Sequence, residues 1–278
     1  MFKGFYTVGS GMIAQQRRTE MLANNMANSN TPGFKAEQSS IRSFPEMLMS
    51  NLDSTKIPTQ KGLNLHGLSP VGGLSTGVYM QETMPSFLQG AMRETGMTTD
   101  IALIDGNLPI DEATGMAGAV FFKLDNGNGT EAYTKNGNFT IDADGYLTNP
   151  SGNYVLDTNS QRIQLQNDDF AVSSNGDIME NGAVVATLGV AFADQPGLLA
   201  KSGNGLFTNA AGNLPNAQGT AGVGYSLQQG YLESSNVDAG KTMTDMLTAY
   251  RAFEANQKIL QAYDRSMEKA VNEIGRVN

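Results

Sequence analysis

The feature that most constrains this chain is a seven-residue apolar repeat at its C-terminal end. Met243, Met246, Tyr250, Phe253, Gln257, Leu260, Met267, Val271 and Ile274 follow one another in steps of three and four, with Asp264 filling the gap after Leu260. Such spacing draws a narrow apolar stripe along a helix. Charged residues, among them Asp245, Arg251, Glu254, Lys258 and Arg265, occupy the positions between. No proline interrupts the stretch from Ser235 onward, and Gly275 offers a stop. A helix over that stretch would run about 60 Å at ~1.5 Å per residue. A narrow stripe of that length is not satisfied alone and needs another helix.

The N-terminal end repeats the logic. Phe5, Val8, Met12, Gln15, Thr19, Leu22 and Met26 step by three and four, while Lys3, Arg17, Arg18 and Glu20 take the other face. Stripes at opposite ends of one chain are expected to pair with each other as an antiparallel coiled coil.

Between them the pattern changes. Asn126-Gly127, Asn128-Gly129, Asn136-Gly137, Asp144-Gly145, Ser151-Gly152, Asn175-Gly176 and Asn181-Gly182 punctuate short β-prone runs such as 132–135, 139–141 and 163–165. Asn-Gly and Asp-Gly supply the positive φ that two-residue hairpin loops require. The fold class expected is therefore α+β, an antiparallel β-rich centre with long terminal helices. Residues 1–40 and 235–278 form the helical part, 41–95 and 222–234 an extended connecting region, and 96–221 the β-rich domain. Within the connecting region, Phe44, Met47, Leu48 and Leu52 suggest a short helix. The glycines and prolines of 55–76 read as an extended linker.

Charge separates along the same boundaries. The net charge is −9, yet residues 1–42 carry five basic and two acidic side chains and 235–278 carry six of each, so the middle holds −12. An acidic middle lacks the basic face a nucleic-acid binder needs. No apolar run reaches membrane-spanning length, and the N-terminus has no continuous apolar core of the secretory type. There is no Cys, which removes disulfides and thiolate chemistry.

Helix gives way to turn at LANNMANSNTPGFK (residues 22–35). Pro32-Gly33 suits the centre of a type II turn. Turn chemistry does not explain why Asn24, Asn25 and Asn28 sit in the last helical turns, where their amides could bond to neighbouring helices. The run resembles the N-terminal signature of the flagellar basal-body rod and hook proteins at Ala23, Asn24, Asn25, Ala27, Asn28, Thr31, Gly33 and Lys35. Residues 229–238 (QGYLESSNVD) and the helical Tyr250-Arg251-Ala252-Phe253-Glu254-Ala255-Asn256 are similar to that family's C-terminal segment. So are 133–139 and 142–147 in the middle. The likeness is nearest the distal-rod branch. It departs at 106–118, where Asn107-Leu108-Pro109 replaces a glycine-aromatic ending and 111–118 form an extra loop.

What the resemblance implies is a structural subunit. Its terminal helices would pack, copy against copy, into a helical axial tube that transmits torque to the hook, with β domains outside. It would be exported by the flagellar export apparatus without a cleaved signal, and would meet other rod and hook proteins. Residues 45–76 would stiffen contacts between subunits. The expected subunit-interface residues are Phe5, Met12, Leu22, Met26, Met243, Met246, Tyr250, Phe253, Leu260 and Ile274, with Asn24, Asn25 and Asn28 setting register. A hook or proximal-rod protein is the alternative within the family. A secreted β-domain adhesin on a coiled-coil stem is the alternative outside it, but it explains neither the second terminal helix nor the asparagine run.

Enzyme chemistry has little to stand on. The single His66 lies in a Gly/Pro-rich stretch with no nucleophile motif. Asp142-Ala143-Asp144-Gly145 evokes a calcium loop, but the first and last ligand positions would be Thr140 and Ser151. No catalytic residue, cofactor, metal or small-molecule substrate is expected.

Overall fold

The computed structural model describes residues 2–51, 54–57, 63–66, 69–112, 115–127 and 129–274. They are α+β: a helix α1 (Phe2–Ala27), a β-rich antiparallel centre, and a helix α2 (Ala239–Lys269) that continues as a π turn over Ala270–Ile274. The chain divides into two compact units. One holds residues 1–24, 38–83 and 240–278; the other holds 25–37 and 84–239.

In the first unit the stretch expected to be an extended linker is paired. Ile41–Ser43 pairs with Val78–Met80, Met47–Asn51 with Ser69–Leu74, and Ser54–Ile57 with Leu63–His66, all antiparallel. These three two-stranded ladders are nested in sequence, each inside the one before, as separate segments of a ribbon. The short helix expected from Phe44 to Leu52 is not formed: Met47–Asn51 is strand, and Leu52 lies outside the described residues. A brief apolar run fits either state locally, and here pairing with a distant partner decides it. The base of the ribbon is tied to α1. Ser10 Oγ accepts the Val78 N–H at 3.2 Å, and Thr7 Oγ1 donates to the Thr76 carbonyl at 3.1 Å.

The two helices of this unit approach each other at glycines of α1. A side chain at Gly4 would collide with the Tyr263 ring, and one at Gly11 would lie 3.1 Å from the Asn256 amide. Seven residues forward on α1 match seven backward on α2, so the helices run antiparallel through these contacts.

The second unit is built on the strand Ala119–Asp125. It pairs with Glu131–Thr134 on one side, and with Tyr154–Val155 and Val190–Ala193 end to end on the other. Its residues alternate between two cores. Val120, Phe122 and Leu124 join Ile101, Leu103, Phe139, Leu147, Ile178 and Leu227, while Ala119 and Phe121 join Tyr133, Ala191 and Phe207. The loops between strands are satisfied by their own first residue. The Asp142 carboxylate accepts the N–H groups of Asp144 and Tyr146 at 3.0 and 2.8 Å, and Asp157 does the same for Asn159 and Gln161 at 2.8 and 2.7 Å. The calcium-like loop is thus an Asx turn whose carboxylate already serves backbone donors.

A two-residue hairpin with both residues at positive φ occurs at Asn181-Gly182, between the paired Glu180 and Ala183. At 144–145, 151–152 and 175–176 only the glycine is left-handed. These are longer loops than the expected two-residue turns.

Candidate assembly site

The asparagine-rich signature and its C-terminal counterpart meet inside the second unit. Asn25, 4% exposed, pairs its side-chain amide with both backbone groups of Glu37: Nδ2 donates to the carbonyl at 2.8 Å, and Oδ1 accepts the N–H at 2.9 Å. The turn that carries the chain back closes with Phe34 N–H on the Thr31 carbonyl at 3.3 Å. Gly33 sits at the third turn position with φ 67°, where a Cβ would also strike the Lys135–Asn136 backbone. Its N–H donates to the Glu233 carbonyl at 2.8 Å.

Two residues on, Lys35 is buried and ion-paired with Glu233 at 2.6 Å; the side chains are 1% and 2% exposed. The Lys35 ammonium also donates to the Leu88 carbonyl at 2.9 Å, and Glu233 Oε1 accepts the Gly90 N–H at 2.7 Å. Glu233 Oε2 is buried without a protein partner. Asn236 completes the closure. Its Oδ1 accepts the Ala36 N–H at 2.7 Å, and its Nδ2 donates to the Ser86 and Leu88 carbonyls at 2.8 and 2.9 Å.

A second pair, buried Lys135 with partly exposed Asp105 at 2.5 Å, adjoins the first. Burial pushes the Lys135 ammonium below the ordinary lysine range. The Asp105 and Glu233 carboxylates pull it back up, and Lys35 adds to the lowering. Two cations and two anions thus balance one another, and Lys35, Glu233 or Lys135, each buried, would be costly left alone.

The asparagines therefore work first within the chain. Asn25 is consumed by Glu37, and Asn28 Oδ1 accepts the Thr31 hydroxyl at 3.2 Å. Asn24 is exposed. Lys35, Glu233 and Asn236 were not among the expected interface residues. Lys35 is the one charge of 22–35, while 229–238 carries Glu233 and Asp238.

In the first unit the expected interface residues separate into two groups. On α1, Leu22 is buried, and Phe5, Val8 and Met12 are half-buried; Met26, on the end of α1 that lies in the second unit, is also half-buried. On α2, Met246, Phe253, Leu260 and Met267 are half-buried, but the second column of the covered face is Thr242, Ala249, Asn256, Tyr263 and Ala270. The expected column of Met243, Tyr250, Gln257, Asp264 and Val271 lies one residue on and is exposed. The side chain of Ile274 lies outside the described residues. Tyr6, Ile13 and Leu247, absent from the expected set, are also exposed.

Among the described residues no group of three or more His, Cys, Asp or Glu could hold a metal, and no helix is long and apolar enough to cross a membrane. His66 falls on the strand Leu63–His66, and its side chain is outside the described residues.

Comparison with known proteins covers both ends and the centre. Residues 5–35 match the family described as flagella basal body rod protein. Residues 115–186 match the flagellar hook protein FlgE/F/G D1 domain, and 228–273 match the flagellar basal body rod FlgEFG protein C-terminal family. The chain is 46% identical to the flagellar hook-basal body complex protein FlhO of Bacillus subtilis over 278 residues, all of both chains. It is 30% identical to the flagellar basal-body rod protein FlgG of the same organism, over 98% of this chain and 99% of that one. It is 29% identical to the flagellar basal-body rod protein FlgF of Caulobacter vibrioides, over all of both chains.

Proposed function

Because the chain belongs to the flagellar basal-body rod and hook family, and is thereby a structural protein of the flagellar basal body, we propose that it is a rod subunit of the distal type. In this reading its α1 and α2 pair as an antiparallel coiled coil. Copies of that pair build a helical axial tube that passes torque to the hook, together with other rod and hook proteins and after passage through the flagellar export apparatus. Its work is mechanical rather than catalytic.

The observation that carries the reading is the state of the helical unit. Two helices from opposite ends of the chain touch at Gly4 and Gly11, yet leave Tyr6, Ile13, Met243, Leu247 and Tyr250 exposed. Apolar helix faces left in water call for further helices. Contacts that repeat head to tail without closing give a filament. The β ribbon over 41–80, present where the distal-rod likeness implies a stiffening element, favours the distal position. Its relatives FlgG and FlgF are flagellar basal-body rod proteins, which favours rod over hook.

Deletion of the gene followed by electron microscopy of purified basal bodies tests this. Rods should be truncated and hooks missing. Complete rods bearing hooks in the deletion strain would overturn the assignment.

A further inference from the structure

Each helix of the first unit carries an uncovered apolar patch on the side away from its partner. On α1 it is Tyr6 and Ile13, 69% and 53% exposed, with Gly9 between them, where a side chain would meet nothing within 4 Å. On α2 it is Met243, Leu247 and Tyr250, 50%, 48% and 53% exposed, at i, i+4 and i+7. At about 100° per residue, the first patch lies roughly opposite Gly4 and Gly11, and the second roughly opposite Asn256 and Tyr263. Facing apart, they cannot cover each other within one chain. Nor can one closed two-fold pair cover both, which would need both on one side.

We propose that the α1 patch of one copy receives the α2 patch of a second copy, with Leu247 seated in the notch at Gly9 between Tyr6 and Ile13. This inference rests on the reading of the chain as a self-assembling subunit. Copies stacked in the same direction keep their helices antiparallel, so Tyr250 falls beside Tyr6 and Met243 beside Ile13. The same register sets Arg17 level with Ala239, the first residue of α2.

The register also fixes a step. Within one chain Gly11 is level with Asn256, so Gly9 is level with residue 258; between copies it is level with Leu247. The displacement from 258 to 247 is about 16 Å along the axis at ~1.5 Å per residue. Each contact therefore advances the next copy rather than closing on itself.

Two measurements on the full-length chain decide the matter. Gly9→Leu fills the notch at a site with open space and raises helix propensity. The variant should match or exceed the melting temperature and ellipticity of the parent while its critical concentration for assembly rises at least tenfold. Because the chain has no Cys, Tyr6→Cys and Tyr250→Cys can be made as separate proteins and mixed. Oxidation of the mixed assembly should give the 6–250 heterodimer and little of either homodimer. Normal assembly by Gly9→Leu overturns the pairing while leaving self-assembly intact, as do homodimers or the absence of the heterodimer in an assembled mixture. A parent chain that stays monomeric at every concentration overturns both self-assembly and this contact.

Discussion

The buried pair of Lys35 and Glu233 makes a quantitative prediction. Removing one member of a buried ion pair leaves the other charge in a medium that solvates it poorly, at a cost of about 3–5 kcal/mol. Lys35→Met leaves Glu233 with the Gly90 N–H alone, and Glu233→Gln leaves the Lys35 ammonium with the Leu88 carbonyl. The double variant leaves no bare charge. The carbonyl oxygen of the introduced amide can keep the Gly90 N–H, and Leu88 keeps its bond from Asn236. What remains lost is about one charged hydrogen bond, ~1.5–3 kcal/mol. The double variant should therefore be more stable than either single one, with a coupling of at least ~3 kcal/mol. Urea unfolding followed by far-UV circular dichroism measures all four proteins, since the chain has no Trp to report. Against a typical stability of ~5–15 kcal/mol, the single variants should still fold. If the two single losses add within ~0.5 kcal/mol, the groups do not act as a unit and the charge argument fails.

Three further outcomes follow from the same physics. Asn25→Ala strips two bonds from the Glu37 backbone and should cost about 2–3 kcal/mol in urea unfolding. Gly33→Ala combines φ 67° with a clash against the Lys135–Asn136 backbone, whereas Gly152→Ala has φ 83° but open space; the second should cost ~1 kcal/mol and the first clearly more. The Gly127 backbone N–H, and then the Arg162 guanidinium, hold the Asp125 carboxyl below its ordinary 3.8. A depressed carboxyl contributes stability that is present above pH 3.8 and is lost as pH falls through its folded value. Asp125→Asn should accordingly flatten the acid limb of a stability-against-pH curve below about pH 4 and leave its shape above about pH 6 unchanged.

Much of this architecture could be read from residue patterns, and the misses have physical causes. Periodicity located both helices and one column of the α2 face, Met246, Phe253, Leu260 and Met267. It placed the other column one residue late because it ranks residues by hydrophobicity. Where α1 offers Gly4 and Gly11, the fitting neighbours are Tyr263 and Asn256, chosen by shape. Glycines and prolines hid the 41–80 ribbon, since its pairing is set by ladder partners far along the chain and not by local propensity. The ion pairs escaped because a lone Lys and a lone Glu read as solvated until the fold closes over them.

Lys35 and Glu233 stand 198 residues apart. A chain that emerges beginning first must carry its early cation unmatched until the last sixth begins to arrive. The join therefore registers the arrival of residue 233: a molecule cut off ahead of it leaves Lys35 without its counter-charge.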